Sequence, residues 1–215
     1  MKGKVVVGVT QRIDKIDAYD EWRDTLDQRM ILWVEKVGFT PVPIPNSLVD
    51  MTLSSKNQPM LERWLDLLNI DALLLSGGNN IGEMPKRDLT EYFLLTWAEK
   101  NSKPVLGICR GMQIMGVYAG RKLIEVEGHV KTNHKLQFDT RNGEKTSEIV
   151  NSYHNQALES CPDLFKVLVK SDDGNLEAMA HSQLPWEAWM WHPERDEKFV
   201  KIFIERFRGL VKNEK

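Results

Sequence analysis

Up to Gly120 the chain alternates short apolar runs with stretches of helical period, and few architectures accommodate that order. Lys4 to Val9 reads as a buried first strand that ends in the polar turn Thr10-Gln11-Arg12. Trp22, Leu26, Met30, Trp33, Val34 and Val37 then recur at helical spacing, with Gly38 where a C-terminal cap belongs. Phe39 to Pro45 reads as a short strand, and Leu61, Trp64, Leu65 and Leu68 mark a second helix. Asp71 to Ser76 is a buried strand that stops at Gly77-Gly78-Asn79-Asn80. A third helix is predicted over 88–100, a strand over 104–108, and a further helix that ends near Gly120. This alternation predicts an α/β sheet of mostly parallel strands covered on both faces. Ligands of such sheets sit beyond the carboxyl ends of the strands.

After Gly120 the pattern changes to shorter strands at 122–126, 148–150, 165–170, 176–180 and 186–191, with turns at Asn142-Gly143 and Asp173-Gly174. That predicts an antiparallel extension of the sheet. Phe199, Val200, Phe203, Ile204 and Phe207 form the apolar face of a last helix. No repeat, linker or low-complexity segment interrupts the 215 residues, so one domain over 1–215 is expected.

Charge narrows the partners. Lys+Arg 29 against Asp+Glu 31 leaves a net charge of -2 with no basic run, which argues against nucleic acid and anionic membrane. No apolar stretch approaches the length of a transmembrane helix, and the run 5–9 is too short for a signal peptide. Two cysteines, Cys109 and Cys161, make no disulfide framework and no cysteine-rich zinc site, so a reducing, cytoplasmic setting is expected. G-x-G-x-x-G is absent at every strand–helix junction, and no cofactor or metal is expected.

Gly107-Ile108-Cys109-Arg110-Gly111 runs from a strand straight into a helix, with a glycine two residues to either side of the cysteine. This has the form of a nucleophile elbow with sulfur in place of oxygen. The helix N-terminus favours the thiolate. The same residues also suit a small buried hydrophobe in a tight turn. His192-Pro193-Glu194 follows the last strand, and in extended backbone residues i and i+2 project to one side, so Glu194 can hold Nδ1 of His192. A solvated turn ahead of the final helix fits this tripeptide equally. Ser76-Gly77-Gly78 offers backbone N–H groups for an oxyanion, or an ordinary glycine-rich turn. Cys161, in Ser-Cys-Pro-Asp, reads as structural.

Together, Leu106 to Gln113, Ser76-Gly77-Gly78 and His192-Pro193-Glu194 resemble the class I glutamine amidotransferases, and more closely the stand-alone γ-glutamyl hydrolases of that superfamily. The match extends to 87–91, 150–156 and 171–178 and covers nearly the whole chain in order. The resemblance implies a flavodoxin-like three-layer fold with an antiparallel extension. It implies Cys109 as nucleophile, His192 as general acid and base, and Glu194 as its orienting carboxylate. It also implies oxyanion amides at Gly78 and Arg110, and a glutamyl pocket formed by Gln113, Ser152, Tyr153 and His154. The reaction so implied releases glutamate from a γ-glutamyl small molecule through a thioester.

Within the superfamily, 9–12, 76–79, 128–130 and 151–155 look like the γ-glutamyl-CDP-amidate hydrolase subgroup, whose members act in phosphoramidate modification of surface polysaccharide. Departures from the γ-glutamyl-GABA type fall at 79–86, which is short and rich in amides, and at 127–135, which holds His129, His134 and two lysines. Arg12 and His129 are the expected anion-binding pair for a charged leaving group; a solvated loop is the other reading of 127–135. Alternatives within the resemblance are a γ-glutamyl-GABA-type hydrolase and a glutaminase subunit that feeds a separate synthase, since no synthase domain is expected on this chain. A thiol-sensing domain without catalysis is the reading from outside the enzymes. A homodimer is compatible with each.

Overall fold

The computed structural model describes residues 4–139 and 145–212. Strand β1 (Val6–Thr10) is followed by a hairpin of β2 (Arg12–Ile16) and β3 (Glu21–Thr25), then by helix α1 (Gln28–Val37). Asp27 caps α1 by accepting the Arg29 N–H at 2.9 Å, and Gly38 ends it in a left-handed turn. The helix expected from Trp22 therefore starts only at Gln28. Trp22 and Leu26 share its spacing by coincidence: Trp22 stands opposite Lys15 in the hairpin and is 61% exposed.

Next come β4 (Thr40–Ile44), α2 (Pro59–Leu67), β5 (Ala72–Leu75), α3 (Pro85–Lys100), β6 (Val105–Ile108) and α4 (Arg110–Tyr118). Both α2 and α3 open on proline, whose missing N–H costs nothing in a first turn. The second half holds β7 (Leu123–Glu125), β8 (Val130–Asp139), β9 (Lys145–Tyr153), β10 (Gln156–Leu158), β11 (Phe165–Lys170), β12 (Leu176–His181), β13 (Trp186–Trp189) and α5 (Lys201–Lys212). The segment 127–135, read as a loop or anion pocket, runs largely into β8, which pairs with β9 in a separate hairpin. The turn expected at Asn142-Gly143 lies outside the described residues. The one at Asp173-Gly174 forms, with Gly174 donating to the Ser171 carbonyl at 2.9 Å.

The central sheet has the order β11-β12-β13-β6-β5-β1-β4. β13, β6, β5, β1 and β4 run parallel, and β12 and β11 add the antiparallel extension. The parallel part, read from β4, has the strand order of flavodoxin-like sheets, which reverses between β1 and β5. Alternation along the strands divides the buried side chains between two layers. Leu73 and Leu75 join Leu61, Leu65, Leu94 and Met112 under α2, α3 and α4; Ala72 and Leu74 join Trp33, Val34, Phe203 and Phe207 under α1 and α5. Among the described residues, no helix is long and apolar enough to cross a membrane.

Candidate active site

Cys109 sits between β6 and α4 with φ 52° and ψ −104°. A residue other than glycine held there stores on the order of 1–3 kcal/mol of strain, so its surroundings must impose the geometry. Its N–H donates to the Trp189 carbonyl at 2.7 Å, and its own carbonyl accepts from Met112 and Gln113 at 2.9 and 3.1 Å. Gly111 allows the close approach, since a Cβ there would lie 2.2 Å from the Leu75 carbonyl oxygen. The thiol is thereby pinned at the carboxyl edge of the sheet and is 7% exposed.

His192 emerges beyond β13, buried, with Nδ1 2.7 Å from Glu194 Oε1. Burial opposes the imidazolium, but the Glu194 and Cys109 charges and hydrogen bonds outweigh it and push the pKa up to about 10. Asn151 on β9 holds the histidine backbone from both sides, accepting its N–H at 3.0 Å and donating to its carbonyl at 2.8 Å. The Tyr153 ring stands edge-on to the imidazole at 5.9 Å, and the Arg195 guanidinium lies over that ring at 4.6 Å.

The loop after β5 is organised by Arg87, a wholly buried residue of α3. It donates to the carbonyls of Ser76, Gly77 and Gly78 at 2.8, 3.0 and 2.9 Å. Arg87 also pairs with Glu91 at 3.1 Å, while Arg110 pairs with Glu91 and Asp88. The Arg110 side chain is thus tied into α3, and its N–H, at the first position of α4, has no intrahelical acceptor.

Two cavities meet at this loop. One, about 360 Å³, is lined by Gly78, Cys109, Arg110, Gln113, Tyr153 and His154 among others. The second, about 290 Å³, lies at the strand-order reversal and includes Arg12, Thr25, Gly77, Gly78, His192 and Arg195. Cys109 and His192 therefore stand at the junction of two compartments.

Most residues expected at the site converge there, with two departures. Ser152 is buried and donates its hydroxyl to the His129 carbonyl at 2.7 Å, lining neither cavity. His129 does not join Arg12. It is 1% exposed and stacks near His134 and His154, with ring centroids 4.5 and 4.6 Å away. Arg12 and His129 are both basic and loop-like in sequence, which is why they pair on paper; β8 turns His129 inward. His129, His134 and Glu177 also place ligand-type atoms within 4.8 Å of one another, a set able to hold a metal ion. Asn79 docks the first hairpin, exchanging hydrogen bonds with the Ile13 backbone at 2.9 and 3.0 Å. Cys161 is half-buried beside the Phe165 carbonyl, away from both cavities.

Arg87, Asn151 and Arg195 join the site without having been singled out by sequence. The first two lie inside motif matches that assign them no role, and Arg195 directly follows Glu194.

Residues 43–201 match the family model described as glutamine amidotransferase class-I. The chain is 29% identical to γ-glutamyl-CDP-amidate hydrolase of Campylobacter jejuni, covering 96% of this chain and 98% of that one. It is 28% identical to a glutamine amidotransferase-like protein of Lactococcus lactis over 80% of this chain and 83% of the relative. Its fold is similar to that of a Thermoplasma acidophilum protein provisionally assigned to GMP synthase, with TM-score 0.72 and 20% identity over 99% and 96% of the two chains. A Thermotoga maritima glutamine amidotransferase superposes with TM-score 0.61 and 14% identity, over 98% of this chain and 85% of that one. With a strand-to-helix cysteine, a His-Glu pair beyond the last parallel strand and a family match across most of its length, the chain belongs to the class I glutamine amidotransferases.

Proposed function

We propose that the chain hydrolyses a γ-glutamyl C–N bond, with γ-glutamyl-CDP-amidate or a conjugate bearing the same charged leaving group as substrate. The observation behind this reading is the Cys109–His192–Glu194 array at the junction of two cavities, one of them bordered by Arg12 and Arg195. Cys109 sulfur attacks the γ-carbonyl carbon while the glutamyl part occupies the cavity of Gln113, Tyr153 and His154. The carbonyl oxygen becomes an oxyanion facing the N–H groups of Gly78 and Arg110, each such donor contributing about 10²- to 10³-fold. His192 gives its proton to the departing nitrogen, the C–N bond breaks, and a thioester remains. Water then attacks, giving its proton to His192, and the C–S bond breaks to free glutamate.

The second cavity would take the leaving group, and its two guanidiniums suit a pyrophosphate. Arg12 is paired with Asp14 at 2.8 Å, so part of its charge is already balanced; Arg195 keeps a looser 3.8 Å approach to Glu194. The similarity to the Campylobacter enzyme supports the same substrate; a cytoplasmic role in modifying a surface polysaccharide follows only from the subgroup resemblance of the sequence.

The test is glutamate release by the purified chain from γ-glutamyl-CDP-amidate, γ-glutamyl-GABA and glutamine. Fast turnover of the nucleotide conjugate is expected, with none in Cys109→Ala of unchanged circular dichroism. Arg12→Ala and Arg195→Ala should raise KM for that conjugate and not for glutamine. Equal KM effects on both substrates would remove the anion pocket. If no substrate turned over while Cys109 was still alkylated, the chain would be the glutaminase half of an enzyme whose synthase is a separate protein.

A further inference from the structure

Away from Cys109, the densest group of unpartnered buried polar atoms among the described residues lies where β8, β9 and β12 meet. Nδ1 of His129, Nε2 of His134, Nε2 of His154 and both carboxylate oxygens of Glu177 are buried without a hydrogen-bond partner. The side chains of His129, His154 and Glu177 are 1% exposed. A buried carboxylate lacking any partner costs several kcal/mol, so such convergence calls for a missing positive group.

The tautomers narrow what that group is. Nδ1 of His154 lies 3.1 Å from the Gln156 carbonyl, which can only accept, so Nδ1 bears a hydrogen and, in the neutral ring, Nε2 is a lone pair. Nε2 of His129 lies 2.7 Å from the Asp173 carboxylate, so in the neutral ring its Nδ1 is likewise a lone pair. Both lone pairs face Glu177 Oε1 at 3.6 Å. That is too long for a hydrogen bond and, between lone pairs, repulsive. It approximates the ligand–ligand edge around a tetrahedral ion with bonds of about 2.0–2.1 Å.

We propose that His129, His134 and Glu177, whose ligand atoms lie within 4.8 Å of one another, form a zinc site that Nε2 of His154, 3.6 Å from Glu177 Oε1, closes as the fourth ligand. Imidazole and carboxylate together suit this ion, and the carboxylate–histidine hydrogen bond from Asp173 is the usual outer support of a metal-bound histidine. Four protein ligands leave no open position, so the ion is structural and activates no water. It ties the hairpin, which otherwise has its own two-stranded sheet, to β12 of the central sheet. Since His154 also lines the cavity at Cys109, the same ion fixes one wall of that cavity.

Untagged protein should contain about one zinc per chain by elemental analysis. After chelation, adding zinc at about 100 times its Kd should raise Tm by roughly 5–10 °C. Cobalt in place of zinc should give the visible absorption of a tetrahedral ion. Asp173→Asn should weaken zinc binding about 10- to 100-fold, and Glu177→Gln and His134→Ala should abolish the Tm response. Wild-type protein that neither contains zinc nor responds to it would overturn the site and leave a proton as the missing charge. An unchanged zinc response in both ligand variants would place the ion elsewhere and overturn it equally. Either result leaves the assignment of the Cys109 reaction, tested by glutamate release, standing or falling on its own.

Discussion

At Gly77 one methyl group would decide where the histidine stands. A Cβ there would lie 2.6 Å from His192 Cε1, with no flexible chain end to yield. Gly77→Ala should therefore displace the ring and lower kcat by about 10²-fold or more, with Cys109 still alkylated; glutamate release with unchanged kcat would refute the placement. The charge on His192 gives a second expectation. With its pKa raised from 6.5 to about 10, its ring should hold both protons through neutral pH, and Glu194→Gln should lower the midpoint seen by imidazole NMR. A raised pKa stabilises the fold fully below 6.5, and that contribution fades as pH climbs through about 10. His192→Gln should flatten the pH dependence of urea unfolding over that interval. The elbow placement of Cys109 and the His192–Glu194 pairing were legible because they lie within five-residue and three-residue stretches. Asn151 was not, because its role is a contact with a residue 41 positions away.

At the scale of elements, α3 and α4 are joined through a buried carboxylate. Burial alone would raise the pKa of Glu91, but Arg110 and Arg87 overcome it and hold the acid below its usual range. A depressed pKa adds stability above the unfolded value near 4.5 that is lost as pH falls through the folded value. Glu91→Gln should cost about 3–5 kcal/mol at neutral pH in urea unfolding, with the loss shrinking in acid. Because Arg87 holds the Ser76–Gly78 carbonyls, that variant should also lower kcat. Element types followed the apolar period where a packed face made it. They failed over 12–25, where the helical spacing of Trp22 and Leu26 competed with cross-strand pairing and with Asn79, which grips Ile13 from a loop 66 residues away. The extent of β8 was equally hidden, since its order depends on pairing with β9.

At the scale of the whole molecule, the sheet separates two cores that, among the described residues, share no side chains. Phe207 stacks on Trp33 at 5.5 Å in one, and Leu65 is fully buried in the other. Phe207→Ala should cost about 3–5 kcal/mol and Leu65→Ala about 2–5 kcal/mol. In the double variant the costs should add to within about 0.5 kcal/mol; a larger coupling would mean that the layers deform together. The sequence by itself determined the alternating strands and helices, the elbow at Cys109 and the His-Pro-Glu turn, because periodicity, glycine placement and i,i+2 spacing are local. Only the tertiary structure decided that Arg12 and Arg195 border one cavity while His129 turns inward to His134, His154 and Glu177. Those groups come from distant strands, and their electrostatics exist only once the sheet has set their distances.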